Sequence, residues 1–430
     1  MQKILIIIPI SIYDGEISLG PLYVSAELKK TGFNTCVYFL NLKRIIGFPI
    51  IKYAWLYYQI NKVCKSFRPD IVMFSVLTTN NKIAEKIAGY IKKKYGTHII
   101  FGGIHSVVCW HELIKKKYVD AVCNGEGEFS SVEYIKLLKN GLLTEKNNLN
   151  IAYKINGNII APSDNLSFKD INEYPEPDRD CLEKYYSSRI LTTANFITGR
   201  GCPYNCYYCN AALLHSKKGY LRFRNPESVI DEILKIKQKY NIKKVIFSDE
   251  TFTLNSNHFF ILMNLYQEKI GLPFVCQSRP EKINDEIAEK LKESGCEAIT
   301  LGVESGNEKI RFEYLNRKIT NEQIISAFQI LKKYGITAQS FNMIGLPEEN
   351  EENVWETINL NRIAGVDIPM CTIFMPFKGT HIYDWYKNNG YIIKDPDIDY
   401  YKSITIKHPH LNKKKLIYYS ENFKELVLGK

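Results

Sequence analysis

The sequence predicts an α/β chain of two parallel-sheet domains, the first Rossmann-like and the second a partial (β/α)6 barrel of TIM type. Two patterns lead there: short apolar runs alternate with helical periodicity over residues 1–140, and after a break a second alternation starts at Asn195 and repeats six times. Strands alternating with helices imply parallel sheets covered on both faces, with ligands bound beyond the carboxyl ends of the strands. Six units are too few to close an eight-unit barrel, so the second domain is expected to stay open. At 430 residues and 45% hydrophobic content, the chain is long enough for two to three cores.

In the first domain the strands read as Lys3–Pro9, Thr35–Phe39, Ile71–Ser75, His98–Gly102 and Ala121–Asn124, with helices over Leu19–Thr31, Asn81–Tyr95 and Glu128–Asn140. Ile83, Ala84, Ile87, Ala88 and Ile91 recur at helical spacing, and Gly96 closes that helix. Residues 141–194 form a linker. Within it Asn150–Pro162 reads as a hairpin turning at Asn156-Gly157, and Tyr174-Pro175-Glu176-Pro177-Asp178 reads as extended chain. The barrel strands are expected at Phe196–Gly199, Lys244–Ser248, Phe274–Ser278, Ala298–Glu304, Thr337–Gly345 and Met370–Phe377. The domains therefore divide as 1–140, 141–194, 195–390 and a C-terminal extension 391–430, which holds a helix around Lys413–Val427.

Composition excludes several classes. The longest apolar run, Ile4–Ile12, falls well short of the roughly 18 residues a membrane span needs. It has one flanking charge, an internal Pro9 and no cleavage site, which argues against a signal peptide. A cytoplasmic, reducing location follows, where clustered cysteines bind metal or do chemistry. The net charge of +11 is concentrated in residues 1–140, with 19 Lys/Arg against 10 Asp/Glu. Solvated helix ends such as Lys92-Lys93-Lys94 and Lys115-Lys116-Lys117 account for much of it, although a basic domain also attracts anionic partners.

Three of the 11 cysteines stand together after the first barrel strand, in Gly201-Cys202-Pro203-Tyr204-Asn205-Cys206-Tyr207-Tyr208-Cys209. A Cys-x3-Cys-x2-Cys loop can wrap three thiolates around an iron–sulfur cluster and leave one iron open. The alternative is a zinc site with His215 as fourth ligand. The remaining eight cysteines are dispersed in apolar runs and read as small buried hydrophobes.

Cys202, Cys206 and Cys209 with Tyr208 resemble the cluster motif of the radical S-adenosylmethionine (SAM) enzymes, whose fold is the same partial barrel. The resemblance implies a 4Fe-4S cluster held by these three cysteines and SAM chelated at the open iron. It continues strand by strand. Phe247-Ser248-Asp249-Glu250-Thr251 looks like an acidic variant of the SAM-amino motif, with Asp249 and Glu250 as acceptors for the ammonium group. Gln277-Ser278-Arg279 places Arg279 to hold the SAM carboxylate. Gly302-Val303-Glu304-Ser305-Gly306 and Leu315-Asn316-Arg317 resemble further motifs of the class, and in Asn342-Met343-Ile344-Gly345 the glycine would let backbone approach the adenine. Asp249 as a helix cap, Arg317 as a surface ion pair and Gly-Leu-Pro as a plain turn are the simpler readings of each taken alone.

The first domain resembles the cobalamin-binding fold. Ser75-Val76-Leu77 and Gly102-Gly103 match its Ser-x-Leu and Gly-Gly elements, and Gly125 and Glu126 in Asn124-Gly125-Glu126-Gly127-Glu128 look like the cobalamin-dependent radical SAM proteins. The Asp-x-His-x-x-Gly element is absent; the early loop reads Ser11-Ile12-Tyr13-Asp14-Gly15-Glu16-Ile17-Ser18-Leu19-Gly20, so the resemblance implies cobalamin without a lower axial histidine.

What the resemblance implies is a cobalamin-dependent radical SAM methyltransferase acting on an unactivated carbon. Its substrate would be a small molecule, lipid or peptide, and its electrons would come from an external donor such as flavodoxin or ferredoxin. The rivals are a radical SAM enzyme performing a non-methylating cyclisation or rearrangement, and a zinc-stabilised nucleic-acid-binding module. Against the latter, the 29 Tyr are scattered and the positive charge lies away from the cysteines. Thr380, His381 and Tyr383 are candidates for substrate contact after the sixth strand.

Overall fold

A computed structural model describes residues 2–9, 17–40, 49–163, 166, 168–183, 192–395 and 404–429, the side chains of 49–52 apart. Most of the early loop, Ser11–Glu16, lies outside the described residues. The chain divides into two compact units, Met1–Ile190 and Leu191–Lys430.

In the first unit the strands are β1 (Lys3–Ile8), β2 (Asn34–Phe39), β3 (Ile71–Ser75), β4 (His98–Gly102), β5 (Ala121–Cys123), β6 (Ile151–Ile155) and β7 (Asn158–Ile160). They form one sheet in the order β2-β1-β3-β4-β5-β6-β7. Pairing is parallel from β2 to β5. The strand order reverses between β1 and β3, which opens a crevice at their carboxyl ends. Helices α1 (Gly20–Lys30), α2 (Pro49–Phe67), α3 (Asn81–Tyr95), α4 (Ile104–Leu113) and α5 (Gly127–Lys139) connect the strands. In α3 the five apolar residues at helical spacing are all buried, and Gly96 ends the helix in the left-handed conformation at φ 66°.

Three features of this unit differ from the sequence reading. Helices α2 and α4 were not expected. Helix α2 carries aromatic and aliphatic residues around its circumference, so its pattern has no clean stripe. Helix α4 begins directly after Gly103 and is rich in Val, His and Trp, which have weaker helix preference. The hairpin placed in the linker is instead β6 and β7, which continue the first sheet antiparallel to β5 with Val122 opposite Ala152. The extended Pro-rich segment is fastened too, because Asp178 accepts hydrogen bonds from Ser25 Oγ at 2.5 Å and Lys29 Nζ at 2.7 Å on α1.

The second unit opens with β8 (Thr193–Phe196) and a short antiparallel pair, β9 (Gly199–Arg200) with β10 (Arg222–Phe223). Then come α6 (Pro226–Tyr240), β11 (Lys244–Phe247), α7 (Ser256–Lys269), β12 (Phe274–Ser278), α8 (Asp285–Glu293) and β13 (Cys296–Glu304). They are followed by α9 (Asn321–Lys333), β14 (Thr337–Ile344), α10 (Glu351–Ala364), β15 (Ile368–Ile373), α11 (His381–Asn388) and α12 (Lys413–Leu428). The main sheet runs β8-β11-β12-β13-β14-β15, parallel throughout and in chain order, as a six-unit open barrel requires. The first strand lies three residues earlier than expected, because Ile197 and Thr198 turn the chain into β9. The last begins at Ile368 and ends at Ile373.

Helix α12 completes this core. Its Leu416, Tyr419, Phe423 and Val427 pack with Ile344 of β14 and with Val354 and Ile358 of α10.

Candidate functional site

The cysteine loop leaves β9 through Gly201, whose φ of +91° suits glycine and whose Cβ would meet the Tyr220 carbonyl oxygen at 2.5 Å. Three contacts from two later segments pin it. Tyr207 N donates to Leu315 O at 3.0 Å, Asn316 Nδ2 donates to Asn205 O at 2.7 Å, and Ile382 N donates to Tyr207 O at 3.2 Å. Cys202, Cys206 and Cys209 are all free thiols. Among the described residues no three His, Cys, Asp or Glu side chains close on a single metal ion. A cluster whose three thiolates each bind a different iron does not require that convergence.

Around the loop stands a set of buried charges. Arg279, at the end of β12, donates from Nη1 to Cys206 Sγ at 3.4 Å and stacks over the Tyr204 ring at 3.6 Å, while its Nε pairs with Glu281 at 2.5 Å. Tyr208 donates to Glu304 Oε1 at 3.0 Å and accepts from Arg317 Nη1 at 3.3 Å; Arg317 Nη2 also donates to Gly302 O at 2.6 Å. Arg317 is therefore no surface ion pair, since only 4% of it is exposed. Burial pushes the Glu304 carboxyl up, opposed by Arg317 and Tyr208. Glu304 holds φ at 68°, a conformation that costs a non-glycine residue about 1–2 kcal/mol.

Sequence reasoning missed Arg311. It is fully buried, donates to Ser305 O, Ile319 O and Asn321 Oδ1, and so ties together the segment that carries Arg317. No spacing marks such a residue, because its partners are mostly backbone carbonyls.

The acidic pair after β11 separates in role. Asp249 accepts from Thr198 N and Oγ1 and from Gly199 N within 2.9 Å, buttressing the turn that launches the cysteine loop. Its carboxyl is nonetheless raised to about 7, because burial outweighs those hydrogen bonds. Glu250 keeps surface open to solvent; desolvation by the protein around it raises its carboxyl, opposed by its own backbone amide and by Arg200. Gln277 donates to the Asp249 carbonyl at 2.9 Å. Asn342 spends its amide inside the fold, donating to Ser340 Oγ and Met370 O and accepting from Asn361.

Gly345, with φ +91°, faces the C-terminal segment: its Cβ would lie 3.1 Å from Leu416 Cδ2 and 3.3 Å from Ile406 Cδ1. The turn it opens is held by a second missed residue, Glu349, whose Oε2 accepts from Gly345 N at 2.6 Å and Leu346 N at 3.2 Å. Tyr386 Oη donates to Gly345 O, and His408 Nε2 lies 2.7 Å from Leu346 O. Beside this turn Tyr208, Met343, Thr372, Ile373, Phe374, Met375 and Phe377 enclose a cavity of about 110 Å3 at the carboxyl ends of β14 and β15. Of the residues proposed after β15, Thr380 caps α11, and His381 packs its ring 4.5 Å from that of Tyr207.

In the first unit Ser75 ends β3 and Gly102 ends β4, in register with each other. Gly103 must be glycine, since at φ +90° its Cβ would meet the Val76 backbone at 2.5 Å. Gly102 is under no such demand; the nearest atoms to its Cβ position lie at 3.8 Å, an ordinary van der Waals contact, so a methyl group is tolerated there. Leu77 is 43% exposed. Gly125 takes φ +122°, and Glu126 Oε2 accepts from Tyr174 Oη at 2.7 Å. His105 is buried, with Nδ1 3.2 Å from Thr78 Oγ1.

These residues fit the groups the sequence implies. The thiols suit an iron–sulfur cluster. Buried Arg317 keeps Nε unpartnered, and so has donor capacity for an anionic group beside it. Gly102 and Gly103 leave bare backbone at the carboxyl edge of the sheet, which suits close approach of a flat ligand.

Comparison with known proteins agrees in both units. Residues 196–360 match the model of the radical SAM superfamily, and residues 9–134 match that of the B12 binding domain. An uncharacterized methyltransferase of Pyrococcus horikoshii is 31% identical over 341 residues, covering 78% of this chain and 73% of the relative. The anaerobic magnesium-protoporphyrin IX monomethyl ester cyclase of Rubrivivax gelatinosus is 25% identical over 361 residues, covering 81% of this chain and 63% of that protein. Among solved structures, the radical SAM methyltransferase TsrM of Kitasatospora setae, with cobalamin and a [4Fe-4S] cluster bound, superposes with a TM-score of 0.71 at 17% identity, covering 90% of this chain and 78% of that one. That last likeness establishes the fold.

Proposed function

The chain belongs to the radical SAM enzymes that carry a cobalamin-binding domain, and on that basis we propose that it transfers a methyl group to an unactivated carbon of its substrate. The observation that carries the reading is the gathering of Cys202, Cys206 and Cys209 with Tyr208, Arg279, Glu304 and Arg317 at the carboxyl ends of the barrel strands, in a chain whose other unit has the cobalamin-binding elements at its own strand ends. When bound, the cluster with SAM supplies a 5′-deoxyadenosyl radical that removes hydrogen from carbon, and methylcobalamin supplies the methyl group.

The chain's own residues bind and orient. Cys202, Cys206 and Cys209 would hold three of the four irons of the cluster. Arg279, buried against Cys206, donates to its sulfur and offers its guanidinium to the SAM carboxylate. Glu250, accessible where Asp249 is not, is the acceptor for the SAM ammonium group, while Asp249 and Gln277 position the strand ends around it. Glu304 and Arg317 fix the Tyr208 ring. Gly345 and Glu349 shape the turn on the adenine side, and Asn342 supports the strand beneath it. In the first unit Ser75, Leu77, Gly102 and Gly103 receive the nucleotide tail of cobalamin, with Gly125 and Glu126 at the neighbouring strand end. An external one-electron donor of flavodoxin or ferredoxin type would supply the electron that such a cluster needs. Among the described residues no helix is long and apolar enough to cross a membrane.

Anaerobic purification with reconstitution of iron, sulfide and cobalamin tests the reading. Iron–sulfur and cobalamin absorption bands should both appear, and incubation with SAM and a reductant should release 5′-deoxyadenosine and S-adenosylhomocysteine. Release of 5′-deoxyadenosine alone would turn the assignment to a cyclase or rearrangement chemistry. Absence of both bands would end it.

A further inference from the structure

One face of β14 and β15 is unlike the rest of the barrel sheet. Alternate residues of a strand share a face, and residues paired in register across strands share it too. Phe341 pairs with Met370, Gln339 with Ile368 and Met343 with Thr372, so these side chains stand on one face. The opposite face, with Ser340, Asn342 and Ile344, packs on α10 and α12.

This stripe, on the inner face of the open barrel, is apolar yet open: Phe341 and Met370 are each 41% exposed and Ile368 is 38% exposed. Single exposed hydrophobes are normal on any protein, but three large ones side by side on paired strands are a contiguous patch. The same face of β13, next in the sheet, presents only Ala298, Thr300 and Gly302. A row of small residues beside a row of large apolar ones leaves a shelf with an apolar wall.

The shelf leads to the chemistry. Met343 and Thr372, the next pair along, line the cavity beside Tyr208. From Ile368 to Thr372 the wall runs about 13 Å, at roughly 3.3 Å per residue. That is about the length of an extended acyl or isoprenoid segment of ten carbons.

We propose that this stripe is the binding surface for an apolar portion of the substrate, so that the enzyme acts on a lipid-like molecule: a chain or fused-ring hydrocarbon whose reacting carbon reaches the Tyr208 cavity. The inference rests on the radical SAM reading and names the substrate class for that same site. Continuity with the cavity is what selects a substrate over a protein partner as the occupant.

The test uses reconstituted full-length holoenzyme and the fluorescent fatty acid 11-(dansylamino)undecanoic acid as probe. Saturable binding with blue-shifted emission is expected. Phe341→Gln and Met370→Gln should each weaken it about tenfold or more, the scale of one large apolar side chain lost from a contact. Ile363→Gln, at a still more exposed hydrophobe on α10, should leave it unchanged. Equal weakening by all three variants, or by none, overturns the proposal. So does a wild-type dimer that Phe341→Gln converts to monomer, because the stripe then serves a second copy of the chain. Holoenzyme that forms 5′-deoxyadenosine from SAM but fails to bind the probe overturns this inference alone. A chain that takes up no cluster fails at the earlier reading, and this one falls with it.

Discussion

Glu349 is fully buried, accepts two backbone hydrogen bonds through one oxygen and leaves the other, Oε1, without a partner. Burial raises its carboxyl from 4.5 to about 8, against the pull of the Gly345 and Leu346 amides. An acid whose folded pKa is raised binds more protons folded than unfolded, so its contribution to stability is present below pH 4.5 and is lost as pH rises toward 8. Glu349→Gln keeps an oxygen for the two amides and removes the ionisation. The variant should flatten the fall in melting temperature between pH 5 and 8 and match or exceed wild type at pH 8; an unchanged slope would show that Glu349 is ionised at no cost. The cysteines make a separate claim at this scale. Burial pushes the Cys209 thiol up to about 11, so a metal that binds it at neutral pH must displace the proton. Cys206→Ala should drop bound iron to near background and abolish 5′-deoxyadenosine formation, with far-ultraviolet circular dichroism unchanged.

At the scale of elements, the end of β4 separates two glycines that look alike in sequence. Gly103 is required by its own fold, since φ +90° and the Val76 backbone at 2.5 Å both forbid a side chain. Gly103→Ala should cost about 2 kcal/mol or more, readable as a lower urea midpoint for the first unit. Gly102 has neither restriction, so Gly102→Ala should fold with normal stability and yet lose cobalamin on gel filtration. Cobalamin retained at wild-type stoichiometry would sink the role given to this strand end. Legibility follows the same division. The β12 and β3 boundaries were readable to the residue, because a buried parallel strand is a continuous apolar run closed by a polar or small residue. Helix α2 was not, since its aromatics surround it. What the motif residues do was not readable: the polar atoms of Asp249 and Asn342 are committed to Thr198, Gly199, Ser340 and Asn361. Long-range hydrogen bonding of this kind leaves no trace in spacing.

At the scale of the whole molecule, the C-terminal extension is the part the sequence described least and the fold uses most directly. Its helix was readable from periodicity, but its partners were not, because Phe423 and Leu416 meet Ile344, Val354 and Ile358 across some sixty residues or more of intervening chain. The segment before it adds His408 and Ile406 against the Gly345-Leu346 turn. The extension therefore supports from behind the same strand, β14, whose other face carries Met343 toward Tyr208. Phe423→Ala removes a side chain that is 1% exposed and leaves a cavity in this layer, a change that costs about 3–5 kcal/mol. For a unit of this size that is a fall of roughly 10 °C in melting temperature. If α12 only covers surface, the variant should lose stability alone. If it holds β14 in place, as the Gly345 contacts require, SAM should also bind more weakly at temperatures well below melting, where the fold is intact. Equilibrium dialysis of SAM against the reconstituted variant at 10 °C decides it: a weaker Kd beside unchanged iron content is expected, and a wild-type Kd would reduce the helix to a lid on the core.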